Sequence, residues 1–298
     1  DIDRPLTTSK RDKKYFTITK CKELDALIKK INKNKIFSFD TETTSLDPMV
    51  AEIIGVSFCF SSNEAYYIPL THSELDTEIK ENYLMDNLKT LFKHKNLTLI
   101  GQNIKYDMNV LKKYNVTIDC KIEDTMIMSY IYNSSGKHDM DSLSEKYLNY
   151  KTTKYEDIAG SGAKQKLLSE LSAEKVFFYA CEDADITFQL YKYFNNEINK
   201  SKELDNLYRK IELPLVKILS SMEFMGVKID KSKLKKLSDS LSDKIVKLQK
   251  KIYKLAEQEF NISSPKQLQE IFYEKLKLPI LKKTPKGQPS TSEDVMLD

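Results

Sequence analysis

Residues 36–48 read IFSFDTETTSLDP, an apolar run that ends in two acids and then a turn. The run Ile36–Phe39 predicts a β-strand with Asp40 at its tip. Glu42 follows two residues later, so both side chains can project toward one face of whatever site the strand end builds. Two more acids stand in comparable settings. Asp107 lies in LIGQNIKYDMNVL, four residues after Asn103, which places that pair on one side of a helix. Asp183 lies in FFYACEDADITFQL, four residues after Tyr179, again on one helical face. Carboxylates gathered on one side are electrostatically costly without a cation, and hard divalent ions such as Mg²⁺ and Mn²⁺ prefer oxygen ligands. If the three segments meet in space, the implied site is a two-metal phosphoryl-transfer centre. Singly, each acid has a plainer reading as a turn or cap residue, and Tyr179 as a core tyrosine. It is the ordered set, D-x-E, then N-x-x-x-D, then Y-x-x-x-D, that points to chemistry.

The rest of the chain frames these segments. Residues 1–20 are polar, and Lys22–Ile31 reads as a short helix. Ile53–Phe60 and Ala65–Leu70 are β-branched and aromatic runs joined by the polar turn Ser61–Glu64, a hairpin signal. Leu97–Gly101 reads as a strand; Gln102–Tyr114, Asp124–Tyr132, Asp141–Leu148 and Ala173–Phe194 read as helices. Strands in a meander and then alternating with helices predict an α/β sheet flanked by helices. Composition shifts near Asn195–Glu203. Beyond it the pattern is helical, broken at Met225-Gly226, with Asp230 as N-cap of a long Lys-rich helix over Lys231–Glu259. Pro265 opens another helix reaching about Leu276, and Lys282–Ser292 reads as a basic loop.

Composition narrows the class. The 298 residues carry 48 Lys and Arg against 44 Asp and Glu. Residues 201–298 hold 20 bases against 14 acids, leaving 28 against 30 in the first 200. A mildly acidic front and a basic back suit a metal-carboxylate centre beside an arm that follows phosphates. Only Arg4, Arg11 and Arg209 are arginines, a bias that goes with an AT-rich genome. No apolar run approaches a membrane span, and no signal sequence is visible. Cys21, Cys59, Cys120 and Cys181 lie far apart without a CxxC pair, which argues against a zinc site or a disulfide framework. A reduced, intracellular, soluble protein is expected.

The three acidic segments resemble exonuclease motifs I, II and III of the DEDD superfamily, in its tyrosine-bearing branch. FDTETTSLDP (39–48), GQNIKYD (101–107), KHDMDSLSEKYL (137–148), EDIAGSGAKQ (156–165) and YACEDADIT (179–187) resemble the 3′–5′ proofreading domain of bacterial family A DNA polymerases, of the DNA polymerase I type. The likeness continues through IELPLVKILSSMEFMGVKID (211–230) and residues 260–294 into what resembles the start of that family's thumb. It implies a ribonuclease H-like α/β fold, a mixed sheet flanked by helices, over residues 1–200, followed by a mostly α-helical partial thumb over 201–298. Because the chain starts at Asp1 and stops at Asp298 inside the thumb-like segment, it is expected to be part of a longer polymerase, without palm, fingers or 5′-nuclease, and so not to polymerise.

By that resemblance Asp40, Glu42 and Asp183 bind the first of two divalent cations, Mg²⁺ with Mn²⁺ as substitute. Asp40 also bridges to the second, which Asp107 supports, and Tyr179 orients the attacking water. Thr43, Leu46, Gln102, Asn103, Lys137 and Tyr155 would contact DNA, Leu46 as a wedge and Tyr155 as a stacking platform. The family often has Arg where this chain has Lys137, which keeps the charge but cannot make a bidentate phosphate fork. His138 is read as a structural hydrogen-bonder. The implied partners are a single-stranded DNA 3′ end, primer-template duplex along the thumb and the remainder of the polymerase chain, the protein being a monomer and no membrane being involved. Two rivals share the motifs: an RNA-trimming exoribonuclease of the ribonuclease D type, against which the thumb-like segment argues, and a catalytically silent single-strand-binding scaffold, against which the four intact acids argue.

Overall fold

The computed structural model describes residues 13–72, 76–162 and 165–297. Arg4, Arg11, the first twelve residues of the polar leader, and Ala163–Lys164 of the 156–165 motif lie outside them. The chain forms two compact units, Asp1–Gly226 and Val227–Asp298.

The first unit is built on a six-stranded mixed sheet. Its strands are β1 (Lys14–Thr17), β2 (Ile36–Thr43), β3 (Ile53–Ser61), β4 (Glu64–Pro69), β5 (Thr98–Gly101) and β6 (Lys121–Asp124), in the order β1-β4-β3-β2-β5-β6. The 53–69 hairpin forms where the sequence places it. β3 pairs antiparallel with β2 and β4, while β2–β5, β5–β6 and β1–β4 are parallel. The sequence reading missed β1 and β6, four-residue strands at the two edges.

Strand β2 alternates sharply, and that alternation creates the site. Phe37 and Phe39 point to one face and are fully buried; Phe39 lies 5.1 Å from Phe58 and meets Phe92 edge-on at 5.3 Å. Helices α1 (Cys21–Asn34) and α2 (Glu81–Phe92) cover this face with Leu24, Leu27, Ile31, Leu84 and Leu88, together with Met108 and Leu111 of α3 (Ile104–Lys113). Each such side chain taken out of water contributes about 1.5–3 kcal/mol. The opposite face receives Ser38, Asp40 and Glu42 from β2, with Gly55, Ser57 and Cys59 directly across on β3. Lying over it is α7 (Ala173–Ile198), whose Ala180, Cys181 and Ala184 are small enough to let the helix approach; the Ser38 hydroxyl donates to the Ala184 carbonyl at 2.6 Å. Beyond the expected Asp40, β2 continues through Thr43, because β3 pairs with it as far as a register shift between Glu42 and Thr43. Asp40 and Glu42 therefore sit within the strand rather than past its tip.

Further elements complete the unit: α4 (Thr125–Tyr132), α5 (Met140–Leu143) running on as a wider turn over Ser144–Leu148, α6 (Tyr155–Ala159), α8 (Lys202–Leu207) continued by Tyr208–Glu212, and α9 (Leu213–Met225). The compact unit runs on past α7 as far as Gly226. Tyr208 is fully buried; its hydroxyl donates to Glu123 Oε2 (2.8 Å) and accepts the Asp124 N–H (2.9 Å), while Arg209 ion-pairs with Glu123 at 3.0 Å. These bonds fix the segment after α7 onto β6. All four cysteines are free.

In the second unit Asp230 caps α10 (Lys231–Ala256) by accepting the N–H groups of Ser232 and Lys233. Ser264 and Pro265 open α11 (Pro265–Gln269), which runs on as Glu270–Lys275, and α12 (Glu293–Leu297) ends the unit. The basic segment expected as a loop is closed on itself: Lys283 bridges Pro289, and Ser290 N–H donates to the Lys282 carbonyl. Among the described residues no helix is long and apolar enough to cross a membrane.

Candidate active site

A cavity of about 610 Å³ opens at the end of β2 and is lined by Asp40, Glu42, Asp107, Tyr179 and Asp183, with Leu46, Gln102, Asn103 and Tyr155 around them. Ligand oxygens of Asp40, Glu42 and Asp183 all lie within 4.8 Å of one another. Strand alternation delivers the first two, and α7, lying across the strand, delivers the third. Asp107 enters from α3 and is held apart from this trio by Thr41, whose hydroxyl (2.6 Å) and N–H (3.2 Å) both donate to Asp107 Oδ1. The sequence-expected four acids thus share one cavity, three as a cluster and the fourth beside it.

The electrostatics of the cluster are unfavourable as it stands. Burial pushes Asp40 up to about 7. Glu42 is raised by burial, then by Asp40 and Asp107; Asp183 by burial, then by Asp40 and Glu42; Asp107 by burial and Asp40, partly offset by Thr41. The Asp183 carboxylate, ahead of burial, raises the Tyr179 phenol one helical turn away. Among the described residues no Lys, Arg or His forms an ion pair with any of the four acids. Among the described residues, Glu42 Oε1 is buried without a hydrogen-bond partner. An all-oxygen donor set with excess negative charge and an orphaned carboxylate oxygen fits a hard divalent cation.

The surrounding residues are arranged as follows. Asn103 is the N-cap of α3 in the left-handed region (φ 62°), so it precedes the helix instead of sharing a helical face with Asp107. Asp124 fixes that turn: its carboxylate accepts the N–H groups of Asn103 and Ile104 and also those of Met126 and Ile127, capping α3 and α4 together. Gln102 accepts from the Thr125 hydroxyl and donates to the His138 carbonyl at 2.9 Å. Lys137 is exposed and is not among the described residues that line the cavity; its neighbour His138 accepts the Gln102 bond. His138 Nδ1 pairs with the Ser129 hydroxyl at 2.8 Å, and its ring stacks on Tyr130. Leu46 is 97% exposed at the rim, an apolar side chain in solvent. The Tyr155 hydroxyl donates to the Lys166 carbonyl at 3.1 Å, holding its ring in the cavity wall. Thr43 is bonded to the Tyr106 hydroxyl at 2.5 Å, and Tyr106 also donates to the Ser45 carbonyl, which fastens the Leu46 loop.

Sequence reasoning missed several residues that build the site. Thr41 and Tyr106 stand inside the quoted motifs but carry no charge to mark them. Glu182 and Asp185 flank Asp183 and were visible as acids; helical rotation sends them elsewhere. Glu182 accepts from the Tyr150 hydroxyl (2.5 Å) and the Thr153 N–H (2.6 Å), anchoring the segment before Tyr155. Asp185 accepts from Lys13, Tyr15, the Asn63 N–H and Gln189, which secures β1 and the hairpin turn.

Comparison with known proteins places this geometry in a class. A family model described as 3′-5′ exonuclease matches residues 15–199, and one described as DNA polymerase family A matches residues 231–298. The chain belongs to the 3′-5′ exonuclease family, with the ribonuclease H-like mixed sheet that the motifs imply. It is 41% identical to DNA polymerase I of Pseudomonas aeruginosa over 279 residues, covering 92% of this chain and 31% of that protein. With DNA polymerase I of Borreliella burgdorferi it shares 38% identity over 294 residues, 99% of this chain and 31% of that one. The chain thus spans about a third of the length of these relatives. In fold it is similar to the POL domain of Pol1 from M. smegmatis, solved in complex with DNA primer-template and dNTP, with a TM-score of 0.74 and 19% identity over 95% of this chain and 44% of that one.

Proposed function

We propose that this chain hydrolyses the 3′-terminal phosphodiester of single-stranded or frayed DNA, releasing nucleoside monophosphates, as the proofreading portion of a DNA polymerase I-like enzyme. The observation that carries the reading is the convergence of Asp40, Glu42 and Asp183 within 4.8 Å in a cavity that Asp107 and Tyr179 also line. Asp40, Glu42 and Asp183 would hold one divalent cation and Asp40 with Asp107 a second, Mg²⁺ or Mn²⁺. When bound, such ions lower the pKa of water and neutralise charge on the phosphoryl oxygens.

The protein's own groups do the positioning. The Tyr179 phenol stays protonated beside Asp183, so its hydroxyl can orient a water by hydrogen bonding. Glu42 Oε1, without a partner among the described residues, can accept from the same water. Gln102 and Asn103, fixed by Thr125 and Asp124, would bond the backbone of the incoming strand. Leu46 separates terminal bases and the Tyr155 ring stacks on one; Lys137 adds a charge at the margin. Single-stranded or frayed termini are the substrate on this reading. Residues 1–200 carry this chemistry, and residues 201–298 belong to the opening of the polymerase domain, whose Lys-rich α10 follows duplex backbone. The enzyme is read as a monomer of the bacterial cytoplasm.

Matched DNA and RNA oligonucleotides of one sequence test the reading. DNA is expected to be shortened from its 3′ end in the presence of Mn²⁺, and much faster than RNA. Tyr155→Ala is expected to lower kcat/KM on single strands roughly tenfold, the loss of one stacked base. Equal or faster trimming of RNA would instead favour the ribonuclease D-type rival.

A further inference from the structure

Helix α3 has a second polar face, and it does not look at the cavity. Lys105, Asn109 and Lys112 recur at i, i+4 and i+7 and meet Ser220 and Glu223 of α9. Lys105 ion-pairs with Glu223. Asn109 uses both ends of its amide, donating from Nδ2 to Glu223 Oε2 at 2.9 Å and accepting from the Ser220 hydroxyl at 2.6 Å. Lys112 Nζ donates to the same Ser220 Oγ at 2.7 Å. Asn109 is 1% and Ser220 0% exposed, so the bond between them is buried and fixes the register, while Lys105, Lys112 and Glu223 extend the set outward to the surface. Apolar packing alone lets helices slide; a satisfied buried polar set specifies one arrangement. Asp107, two residues from Asn109, projects to the opposite side of α3, where Thr41 holds it. Helix α9 lies between the two family matches, in a segment that neither covers.

We propose that Asn109, with Ser220 and Glu223 of α9, is a positioning set for Asp107: it fixes the rotation and height of α3, and thereby the distance of the Asp107 carboxylate from the Asp40 cluster. The inference rests on the reading that Asp107 supports a divalent ion in the exonuclease site. It gives the α9 segment a part in the exonuclease chemistry although it lies outside the exonuclease match.

The test uses the full chain. Asn109→Leu keeps volume and removes both amide bonds; Glu223→Gln keeps an acceptor but loses the ion pair with Lys105. Ser221→Ala, which removes only an exposed hydroxyl bonded to the Lys217 carbonyl, is the control. Mn²⁺ binding is read by calorimetry, kcat and KM on a 5′-labelled single strand, and folding by melting temperature. For Asn109→Leu, kcat is expected to fall roughly tenfold at nearly constant KM, and Mn²⁺ affinity to weaken by a similar factor, the scale of lost outer contacts to a metal site. Glu223→Gln should move both in the same direction by less, and Ser221→Ala should move neither. Folded variants with wild-type kcat and wild-type Mn²⁺ affinity would overturn the proposal. If Asn109→Leu does not fold, Glu223→Gln decides by the same criterion. If the wild-type chain binds Mn²⁺ but cuts no DNA, the exonuclease reading falls while the calorimetric comparison still decides the role of Asn109.

Discussion

Replacing Asp183 by Asn is expected to abolish cleavage and, in EDTA, to make the protein more stable. The two effects have one cause. Asp183, Asp40 and Glu42 crowd within 4.8 Å, and each has its carboxyl raised by burial and by its neighbours. At neutral pH, without a cation, these groups oppose folding. Asparagine keeps the shape and removes one of the crowded charges, so the metal-free chain should gain about 1–3 kcal/mol, within the usual range for a single substitution. For a unit of this size that raises the melting temperature by several degrees. Added Mn²⁺ should stabilise the wild type by mass action and the variant far less, which reverses the order of the two. Activity should fall by roughly 10²–10³-fold or more, since a group that organises charge at the reacting phosphate is lost. Melting curves with EDTA and with Mn²⁺, beside a cleavage assay, check all three. A variant less stable than wild type in EDTA would mean that the cluster is not strained by its own charge.

Gly55→Ala is expected to cost about 2–3 kcal/mol and to impair cleavage, although glycine here has no unusual backbone angle to maintain. Gly55 faces Glu42 across the β2–β3 ladder. A Cβ at this position would lie 2.3 Å from the Tyr67 hydroxyl and 2.6 Å from its ring carbons. The ring cannot swing away cheaply. Tyr67 is fully buried and its hydroxyl bonds His72 Nε2 at 2.6 Å, while His72 Nδ1 donates to the Leu171 carbonyl at 3.1 Å. With Nδ1 carrying the proton, Nε2 accepts and Tyr67 donates; burial holds His72 neutral, in keeping with this. The added methyl must therefore break this relay or part β3 from β2 beside Glu42. Thermal melting and Mn²⁺ affinity measure the two outcomes, and Tyr67→Phe in the Gly55→Ala background, which deletes the closest atom, should restore part of the stability. A Gly55→Ala chain with wild-type melting and wild-type Mn²⁺ affinity would show that the space above Gly55 is not filled as described.

The site was legible in the sequence because its chemistry is local. Asp40 and Glu42 share a face by strand alternation, and Tyr179 and Asp183 by helical rotation; both follow from backbone period alone. The 53–69 hairpin, α7 and the Asp230 cap were legible for the same reason. What was not legible depends on distant partners. β1 is only four residues long, and it depends on pairing with β4 and on Asp185 of α7, which accepts from Lys13 and Tyr15. β6 is stabilised at its end by Tyr208, 85 residues away. The continuation of β2 past Asp40 needs β3 to pair with it. Asn103 was placed inside a helix because spacing cannot show that Asp124, from another strand, holds it in a left-handed turn. Glu182 and Asp185 carry no sequence mark that separates them from Asp183, because acids at 182, 183 and 185 of one helix point three ways and only packing shows which way is the cavity.

The central claim is that these residues assemble a divalent-ion-dependent 3′ exonuclease. Its most direct test is to incubate the chain with a 5′-labelled single-stranded DNA oligonucleotide and Mg²⁺ or Mn²⁺, with EDTA and Asp40→Ala as controls, and to resolve the products by length. A ladder shortening one nucleotide at a time from the 3′ end, absent in both controls, is expected. An oligonucleotide left intact in Mn²⁺, or a ladder that survives in Asp40→Ala, would contradict it.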